Sequence, residues 1–225
     1  MIPKQAAGEA ALEFIRSGMN VGLGTGSTAD YFLIALGREI KAGKLRDIRG
    51  VPTSIKSHDR AIELGIPLCE LKDVPFLDVA VDGADEVDPK LNLIKGMGGA
   101  LLREKIIAQA ARKFVVIADS SKKVSALGAK GPLPVEVTPF AYETHGAFFE
   151  SLGAQPLLRK KSDGSIFITD NGNVIYDCRF ARIDDPADLE IKLLKHAGVV
   201  DTGLFIGIAT IAVIAGDSGL DRLSI

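Results

Sequence analysis

Short apolar runs alternate with amphipathic stretches through the first half of this chain, and this alternation limits the folds available to it. The runs predict strands at residues 20–23, 48–51, 77–81 and 113–118, and apolar residues at helical spacing predict helices at 4–17, 27–42, 54–64 and 100–112. Successive strands joined by helices pair in parallel, because each helix returns the chain to the same end of the sheet. We therefore expect an α/β fold, with helices covering both faces of a mostly parallel sheet.

The pattern changes after about residue 131. Strands are predicted at 133–137, 155–160, 165–169 and 173–178, and helices at 140–152 and 186–196. The dipeptides Asp163-Gly164 and Asn171-Gly172 favour tight hairpin turns between the later strands. This order is typical of a small α+β domain of ferredoxin-like type. The apolar run 204–215 suits a strand that rejoins the first sheet, so we expect 1–130 with 204–225 to form the main domain and 131–203 a smaller inserted one.

Composition narrows the possible classes of function. The 225 residues carry a formal net charge of −2 and a pI of about 6.0, whereas nucleic-acid-binding proteins usually have a basic excess. The most apolar tract, Gly203–Gly216, is too short to span a bilayer. Cys69 and Cys178 form no disulfide or metal motif and indicate reduced thiols in a cytoplasmic protein, and the three histidines lack metal-ligand spacing. We expect no nucleic-acid partner, no membrane partner and no metal.

A glycine-rich turn, Gly24-Thr25-Gly26-Ser27-Thr28, connects the first predicted strand to its helix. Glycines let the backbone approach an anion, and the start of a helix supplies N–H groups. The turn lacks the lysine of a Walker loop and the third glycine of a dinucleotide motif, and no acidic residue follows the second strand. It predicts a site for the phosphate of a small ligand; the alternative is a tight turn in which Ser or Thr caps the helix.

The run Asp82-Gly83-Ala84-Asp85 follows the third predicted strand. Ligands of α/β proteins bind at the carboxyl ends of parallel strands. The two carboxylates of this run suit hydrogen bonds to sugar hydroxyls or the transfer of hydroxyl protons; the alternative is that both side chains cap the turn. Glu86 and Asp88 are expected to be solvated.

Lys95 precedes the run Gly96-Met97-Gly98-Gly99 and the helix that carries Glu104. Lys95 and the backbone N–H groups of the run suit stabilisation of a developing oxyanion. A carboxylate in a partly dry pocket acts as a general base, which suits Glu104; the alternative is that Glu104 lies on a solvated helical face. Lys122 follows the fourth strand and is either a cation for phosphate or substrate, or an exposed surface lysine.

In this order, the motifs resemble the A-type ribose-5-phosphate isomerases over nearly the whole chain. The matching segments are 24–29, 82–86, 95–105, Asp119 with Ser121-Lys122, and 203–205. The resemblance implies a Rossmann-like domain with a smaller α+β domain, a homodimer or homotetramer, and no cofactor or metal. It also implies a cytoplasmic enzyme that interconverts D-ribose 5-phosphate and D-ribulose 5-phosphate in the non-oxidative pentose phosphate pathway.

The resemblance assigns roles to single residues. Glu104 takes the general-base position and moves a proton between C2 and C1 through an enediol(ate), while Asp82, Asp85 and Lys95 complete the catalytic group. The implied substrate-binding residues are Thr25, Gly26, Ser27, Thr28, Asp82, Gly83, Ala84, Asp85, Lys95, Gly96, Met97, Gly98 and Lys122. Met97 departs from the small residues usual after the lysine, which bears on substrate preference.

Two other functions fit parts of the pattern. A non-catalytic sugar-phosphate sensor, such as the effector domain of a transcription regulator, shares the glycine-rich turn but needs no base at Glu104. An amino-sugar phosphate deaminase is a different sugar-phosphate enzyme, and release of ammonia from an amino sugar phosphate identifies it.

Overall fold

The computed structural model describes residues 2–216 and 219–224. Its helices are α1 (Pro3–Ala10), α2 (Ser27–Lys41), α3 (Ile55–Glu63), α4 (Leu101–Ala110), α5 (His145–Ser151) and α6 (Pro186–Leu194). Its strands are β1 (Asn20–Leu23), β2 (Arg49–Pro52), β3 (Val79–Gly83), β4 (Glu86–Val87), β5 (Leu93–Ile94), β6 (Phe114–Asp119), β7 (Leu133–Val137), β8 (Ala154–Leu158), β9 (Val174–Phe180), β10 (Val199–Thr202), β11 (Leu204–Phe205), β12 (Ile211–Gly216) and β13 (Gly219–Ser224). Within the described ranges, no helix has the length and apolar character needed to cross a membrane.

The chain forms two compact units. The first consists of the chain up to Ala84, Arg103–Lys123 and the chain from Gly207; the second consists of Asp85–Leu102 and Val124–Ile206. Residues 85–102 lie in the second unit because β4 and β5 pair with each other and β5 pairs with β11. The expected division into a main domain of 1–130 with 204–225 and a smaller domain of 131–203 stays a prediction.

The first unit is built on a six-stranded sheet in the order β13-β12-β6-β3-β1-β2. Neighbouring strands are parallel, except that β12 and β13 are antiparallel. Val21 of β1 lies beside Val79 of β3, and Ala80 of β3 lies beside Phe114 of β6. The α/β fold with a mostly parallel sheet is therefore confirmed, and the carboxyl ends of β1 and β3 meet at one edge of it.

Apolar side chains from the sheet and its helices form the core of the first unit, which includes Val21, Val81 and Val115. Helices α1 and α2 lie side by side in the same direction, since Lys4 contacts Ser27 and, one turn later, Gly8 contacts the Tyr31–Phe32 segment. A Cβ at Gly8 would lie 2.8 Å from the backbone nitrogen of Phe32, so a larger residue there would separate the helices. This packing sets the first turn of α1 beside the first turn of α2.

The second unit contains an antiparallel sheet in the order β10-β7-β9-β8. With α5 between β7 and β8 and α6 between β9 and β10, the chain order is βαββαβ, a ferredoxin-like arrangement that replaces the predicted order βαβββα. Phe149 of α5 and Leu193 of α6 are buried against Val135 and Tyr176 of the sheet. A second, three-stranded sheet in the order β11-β5-β4 completes this unit.

Two predicted strands differ from the structure. Residues 165–169 make only isolated bridges, because the Asp163-Gly164 and Asn171-Gly172 turns bend the chain on either side of a short segment. The fourth strand of the antiparallel sheet is instead β10. The run 204–215 is also not one strand: Gly207 adopts a positive φ of 65° after β11, and only β12 joins the first sheet.

Strand β13 has no counterpart in the sequence prediction. It pairs with β12 at the edge of the first sheet, and its residues are almost all exposed. A strand without a buried face shows no apolar alternation, so periodicity gives no signal for it.

Candidate active site

The glycine-rich turn follows β1 and leads directly into α2. Gly26 is the N-cap of α2, with a φ of 118° that suits glycine, and no side chain caps the helix. The alternative in which Ser or Thr caps the helix is therefore wrong. The N-terminus of this 15-residue helix, with Ser27 in its first turn, suits an anion.

Two lysines lie near this end of the first unit. Lys4 Nζ donates to Ser27 Oγ across 2.9 Å. Burial alone raises the pKa of Asp119, but hydrogen bonds from Ser121 and the charges of Lys122 and Lys4 hold that pKa below its ordinary value. Both lysines therefore act on Asp119, and the charge of Lys4 also adds to the helix N-terminus at Ser27.

Thr25 is held from two sides. Its N–H donates to Asp82 Oδ1 across 3.0 Å, and its hydroxyl lies 2.7 Å from the hydroxyls of both Thr53 and Ser54. A Cβ at Gly24 would overlap the Asp82 carboxyl group, so glycine is required for this approach. The turn and the carboxylate are thus directly connected, although they are far apart in the sequence.

Asp82 and Glu104 are both buried, with exposed fractions of 2% and 5%. Their side chains border one narrow cleft of the first unit, together with Gly24 and Phe114. The alternative in which Glu104 lies on a solvated helical face is therefore wrong. Asp82 Oδ1 also accepts the Gly83 N–H across 2.7 Å, so Asp82 stabilises its own turn as well as bordering the cleft.

The second unit carries Asp85 and Lys95, the other two predicted catalytic residues. Asp85 Oδ2 accepts the N–H of Met97 across 3.0 Å, and the Asp85 N–H donates to Ile94 O across 2.8 Å. Lys95 is 2% exposed; its N–H donates to Gly203 O across 2.9 Å, and its Nζ lies 5.5 Å from the centre of the Phe205 ring. Because the Asp85 carboxylate binds the backbone of Met97, 12 residues along the chain, it does more than cap its own turn.

Residues 95–100, here called the Lys95 loop, form a tight turn. Gly96 and Gly99 have positive φ angles of 99° and 82°, and the Gly99 N–H donates to Gly96 O across 3.0 Å. Met97 is 47% exposed, so its side chain extends out of the turn. On the other side of the loop, Arg159 Nη1 donates to Gly96 O across 2.9 Å.

The predicted site residues fall into one set in each unit. In the first unit, Thr25 is bonded to Asp82, and Asp82 borders the same cleft as Glu104. Their neighbours in the chain are Gly26, Ser27, Thr28 and Gly83. Lys122 acts on Asp119. Ala84 is the last residue of this unit; Asp85, Lys95, Gly96, Met97 and Gly98 belong to the second unit. Sequence reasoning missed Lys4 and Arg159, because neither lies in a motif.

Glu86 and Asp88 are not solvated, which corrects the sequence expectation. Glu86 is 1% exposed, and its carboxylate accepts N–H groups from the 128–131 loop at 2.7–2.9 Å. Asp88 is also buried and accepts from the N–H groups of Lys90 and Asn92. Both carboxylates replace water with backbone donors, which is how a charged group is stabilised inside a protein.

Comparison with known proteins identifies the family. Residues 49–219 match the family model of ribose 5-phosphate isomerase A (phosphoriboisomerase A). A ribose-5-phosphate isomerase A of Roseiflexus sp. (strain RS-1) is 50% identical to this chain, and the match covers 98% of this chain and 94% of that protein. One from Thermococcus kodakarensis is 49% identical, with 98% and 96% covered.

Solved structures agree with this assignment. A D-ribose-5-phosphate isomerase in complex with phospho-erythronic acid superposes with a TM-score of 0.97 at 45% identity, covering 100% of both chains. The ribose 5-phosphate isomerase A of Methanocaldococcus jannaschii gives a TM-score of 0.94 at 38% identity, covering 99% of this chain and 98% of that one. This chain therefore belongs to the ribose 5-phosphate isomerase A family.

Proposed function

We propose that this protein interconverts D-ribose 5-phosphate and D-ribulose 5-phosphate, through an enediol(ate), in the non-oxidative pentose phosphate pathway. Membership of the family and the relatives named above support this reaction. The observation that carries it is the buried Glu104 carboxylate beside Asp82 and the glycine-rich turn. One base near a phosphate-binding turn is what proton transfer between adjacent carbons of a sugar phosphate requires.

Glu104 acts as the general base in this proposal. Its carboxylate removes the proton from C2 of the open-chain aldose, and the same group returns that proton to C1. The narrow cleft shields the carboxylate from water, which limits exchange of the transferred proton with solvent. Glu104 lies in the first turn of α4, so its position depends on that helix rather than on a mobile loop.

Asp82, Asp85 and Lys95 act on the oxygen atoms of the sugar. The two aspartates accept and return hydroxyl protons, including those of ring opening. Lys95 and the N–H groups of Gly96 and Gly98 stabilise the enediolate oxygen, while the Met97 N–H holds Asp85. Hydrogen bonds to the backbone hold both Asp82 and Asp85 in one orientation, which reduces the reorganisation needed during reaction. Gly83, the last residue of β3, and Ala84 complete this substrate-binding segment.

The phosphate binds at the start of α2 in this proposal. Thr25, Gly26, Ser27 and Thr28 supply the turn, and the helix N-terminus favours the negative charge. Lys122 contributes a cation, and Lys4 joins it because its Nζ already contacts Ser27 Oγ. Binding energy from the phosphate then orients the reacting carbons relative to Glu104.

We also propose a homodimer or homotetramer in the cytoplasm, with no cofactor, metal or nucleic-acid partner. Light scattering of the purified protein at several concentrations tests the oligomeric state. A monomer at all concentrations contradicts it.

Formation of ribulose 5-phosphate from ribose 5-phosphate, by protein dialysed against EDTA, tests the reaction. We expect turnover without added metal. Running the assay in D2O tests the single-base step, since transfer by one shielded carboxylate leaves part of the product undeuterated at C1. Folded protein that binds ribose 5-phosphate without turnover would instead be a sensor.

A further inference from the structure

We propose that Arg159, held by Asp177, is a positioning residue: it fixes the Lys95 loop so that the Met97 N–H holds Asp85 and the Gly98 N–H faces the enediolate oxygen. This inference rests on the proposed function and extends it to two residues that lie outside the sequence motifs. Arg159 Nη1 donates to Gly96 O across 2.9 Å and to Met97 O across 3.3 Å. One guanidinium nitrogen therefore binds the carbonyls of two successive peptide groups.

The planarity of the peptide group connects these carbonyls to the N–H groups of the loop. In a trans peptide, the C=O and the N–H of the next residue point in opposite directions. The Gly96 carbonyl faces Arg159, and the Met97 N–H of the same peptide donates to Asp85 on the other side. The Met97 carbonyl also faces Arg159, so the Gly98 N–H points away from the guanidinium. Arg159 thus sets the direction of two successive N–H groups.

Asp177 determines where the guanidinium lies. Arg159 Nε donates to Asp177 Oδ2 across 2.9 Å, and Nη2 binds the other carboxylate oxygen, which makes a bidentate pair. The two side chains are 11% and 18% exposed, so solvent screens this pair only weakly. The N–H of Arg159 donates to Ile175 O of β9, which fixes the backbone of Arg159 beside the strand that carries Asp177.

Phe167 holds the same loop at a second point. Its ring lies against Gly99, where a Cβ would overlap it, and its centre is 5.8 Å from the Arg159 guanidinium carbon. The Phe167 N–H donates to Arg159 O across 3.0 Å, so both residues belong to one hydrogen-bonded segment. This arrangement restrains a loop whose glycines would otherwise sample many backbone conformations.

Kinetics of Arg159→Met test the proposal. Met fills a similar volume without a donor, so the loop carbonyls lose their partner while substrate-contacting side chains stay in place. We expect kcat to fall about 10–100-fold with KM changed less than about threefold, because the lost interaction acts on the transition state. Arg159→Lys is expected to restore only part of kcat, since an ammonium cannot bind Asp177 and both carbonyls with the same geometry.

Arg179→Met is the matched control. Arg179 lies on β9, as Asp177 does, and is exposed; like Arg159 it donates to a backbone carbonyl, but the described bond goes to Lys130 O, outside the Lys95 loop. Its kcat and KM are expected to stay within about twofold of wild type. Guanidinium added to Arg159→Ala, at concentrations that leave the wild-type melting temperature unchanged, is expected to raise kcat, whereas Arg179→Ala shows no such rescue.

Hydrogen exchange separates failure of this proposal from failure of the proposed function. The loop amides of residues 95–100 are expected to exchange faster in Arg159→Met than in wild type or Arg179→Met, whether or not ribose 5-phosphate is the substrate. If the wild-type protein has no isomerase activity, the proposed function is wrong, while the role of Arg159 in holding the loop is unaffected. Three results would overturn the role of Arg159: unchanged hydrogen exchange of the loop, an unchanged kcat, or a loss of kcat that parallels a lower melting temperature and is not reversed by guanidinium.

Discussion

The backbone N–H of Thr25 donates to Asp82 Oδ1 across 3.0 Å, although the two residues are 57 positions apart in the sequence. The bond joins the turn after β1 to the end of β3, which are neighbours because their strands pair in parallel. A group proposed to bind phosphate and a carboxylate proposed to move protons therefore share one hydrogen bond. Displacing one is expected to displace the other.

Gly24→Ala tests this connection. The added Cβ would overlap the Asp82 carboxyl group, so either the turn or the carboxylate has to shift. We expect kcat/KM to fall about 100-fold and the free energy of unfolding to fall about 1–3 kcal/mol. Gly146→Ala is the control, because a Cβ at Gly146 would meet no atom within 4 Å and alanine has a higher helix propensity than the glycine it replaces in α5. Equal activity of the two variants would contradict the prediction.

Glu104→Gln tests the general base. The amide keeps the size of the side chain but cannot accept a proton, so kcat is expected to fall about 10²–10⁴-fold with the fold preserved. Glu150→Gln, an exposed change on α5, is expected to retain wild-type kinetics. Circular dichroism and ribulose 5-phosphate formation measure the two properties. Turnover within a few-fold of wild type would remove Glu104 as the base.

Lys4→Met tests the phosphate end of the site. Removing the cation beside Ser27 is expected to raise KM about 10–100-fold, while kcat changes less, because the phosphate does not react. The wild-type KM is expected to rise with added salt more steeply than that of the variant. Lys44→Met, which removes an exposed lysine paired with Glu39, serves as control. If both variants bind substrate equally well, Lys4 has no role in binding.

His145 is expected to make stability depend on pH. Burial, and then the charge of His196, lower the pKa of His145 in the folded protein. The unfolded chain, with a histidine pKa near roughly 6.5, therefore binds a proton more readily, and stability is lost as pH falls below that value. Urea unfolding at about pH 7.5 and about pH 5.5 is expected to show a smaller drop for His145→Gln than for wild type. His58→Gln, at an exposed position, keeps the wild-type drop; equal drops in all three proteins would refute the assignment.

The alternation of strands and helices was sufficient to predict the parallel sheet, because burial on both faces leaves a strong periodic pattern. The exposed strand β13 has no buried face and could not be found in this way. Asp82 was singled out by its place at the end of a predicted strand, whereas Glu104 was assigned its role through the family resemblance; both catalytic roles stay predictions. Lys4 and Arg159 were missed because their positions depend on helix packing and on strand pairing, which bring together residues that are distant in the chain.

The first sheet also has a consequence for biosynthesis. Strand β6 pairs with β3 on one side and with β12 on the other, and strands β7 to β11 lie between β6 and β12 in the chain. On the ribosome, the edge of β6 that receives β12 therefore stays open until the intervening strands of the second unit have emerged. An unpaired apolar strand edge is a template for association with other chains. Nascent chains stalled before β12 are thus expected to depend on chaperones, while the completed protein does not.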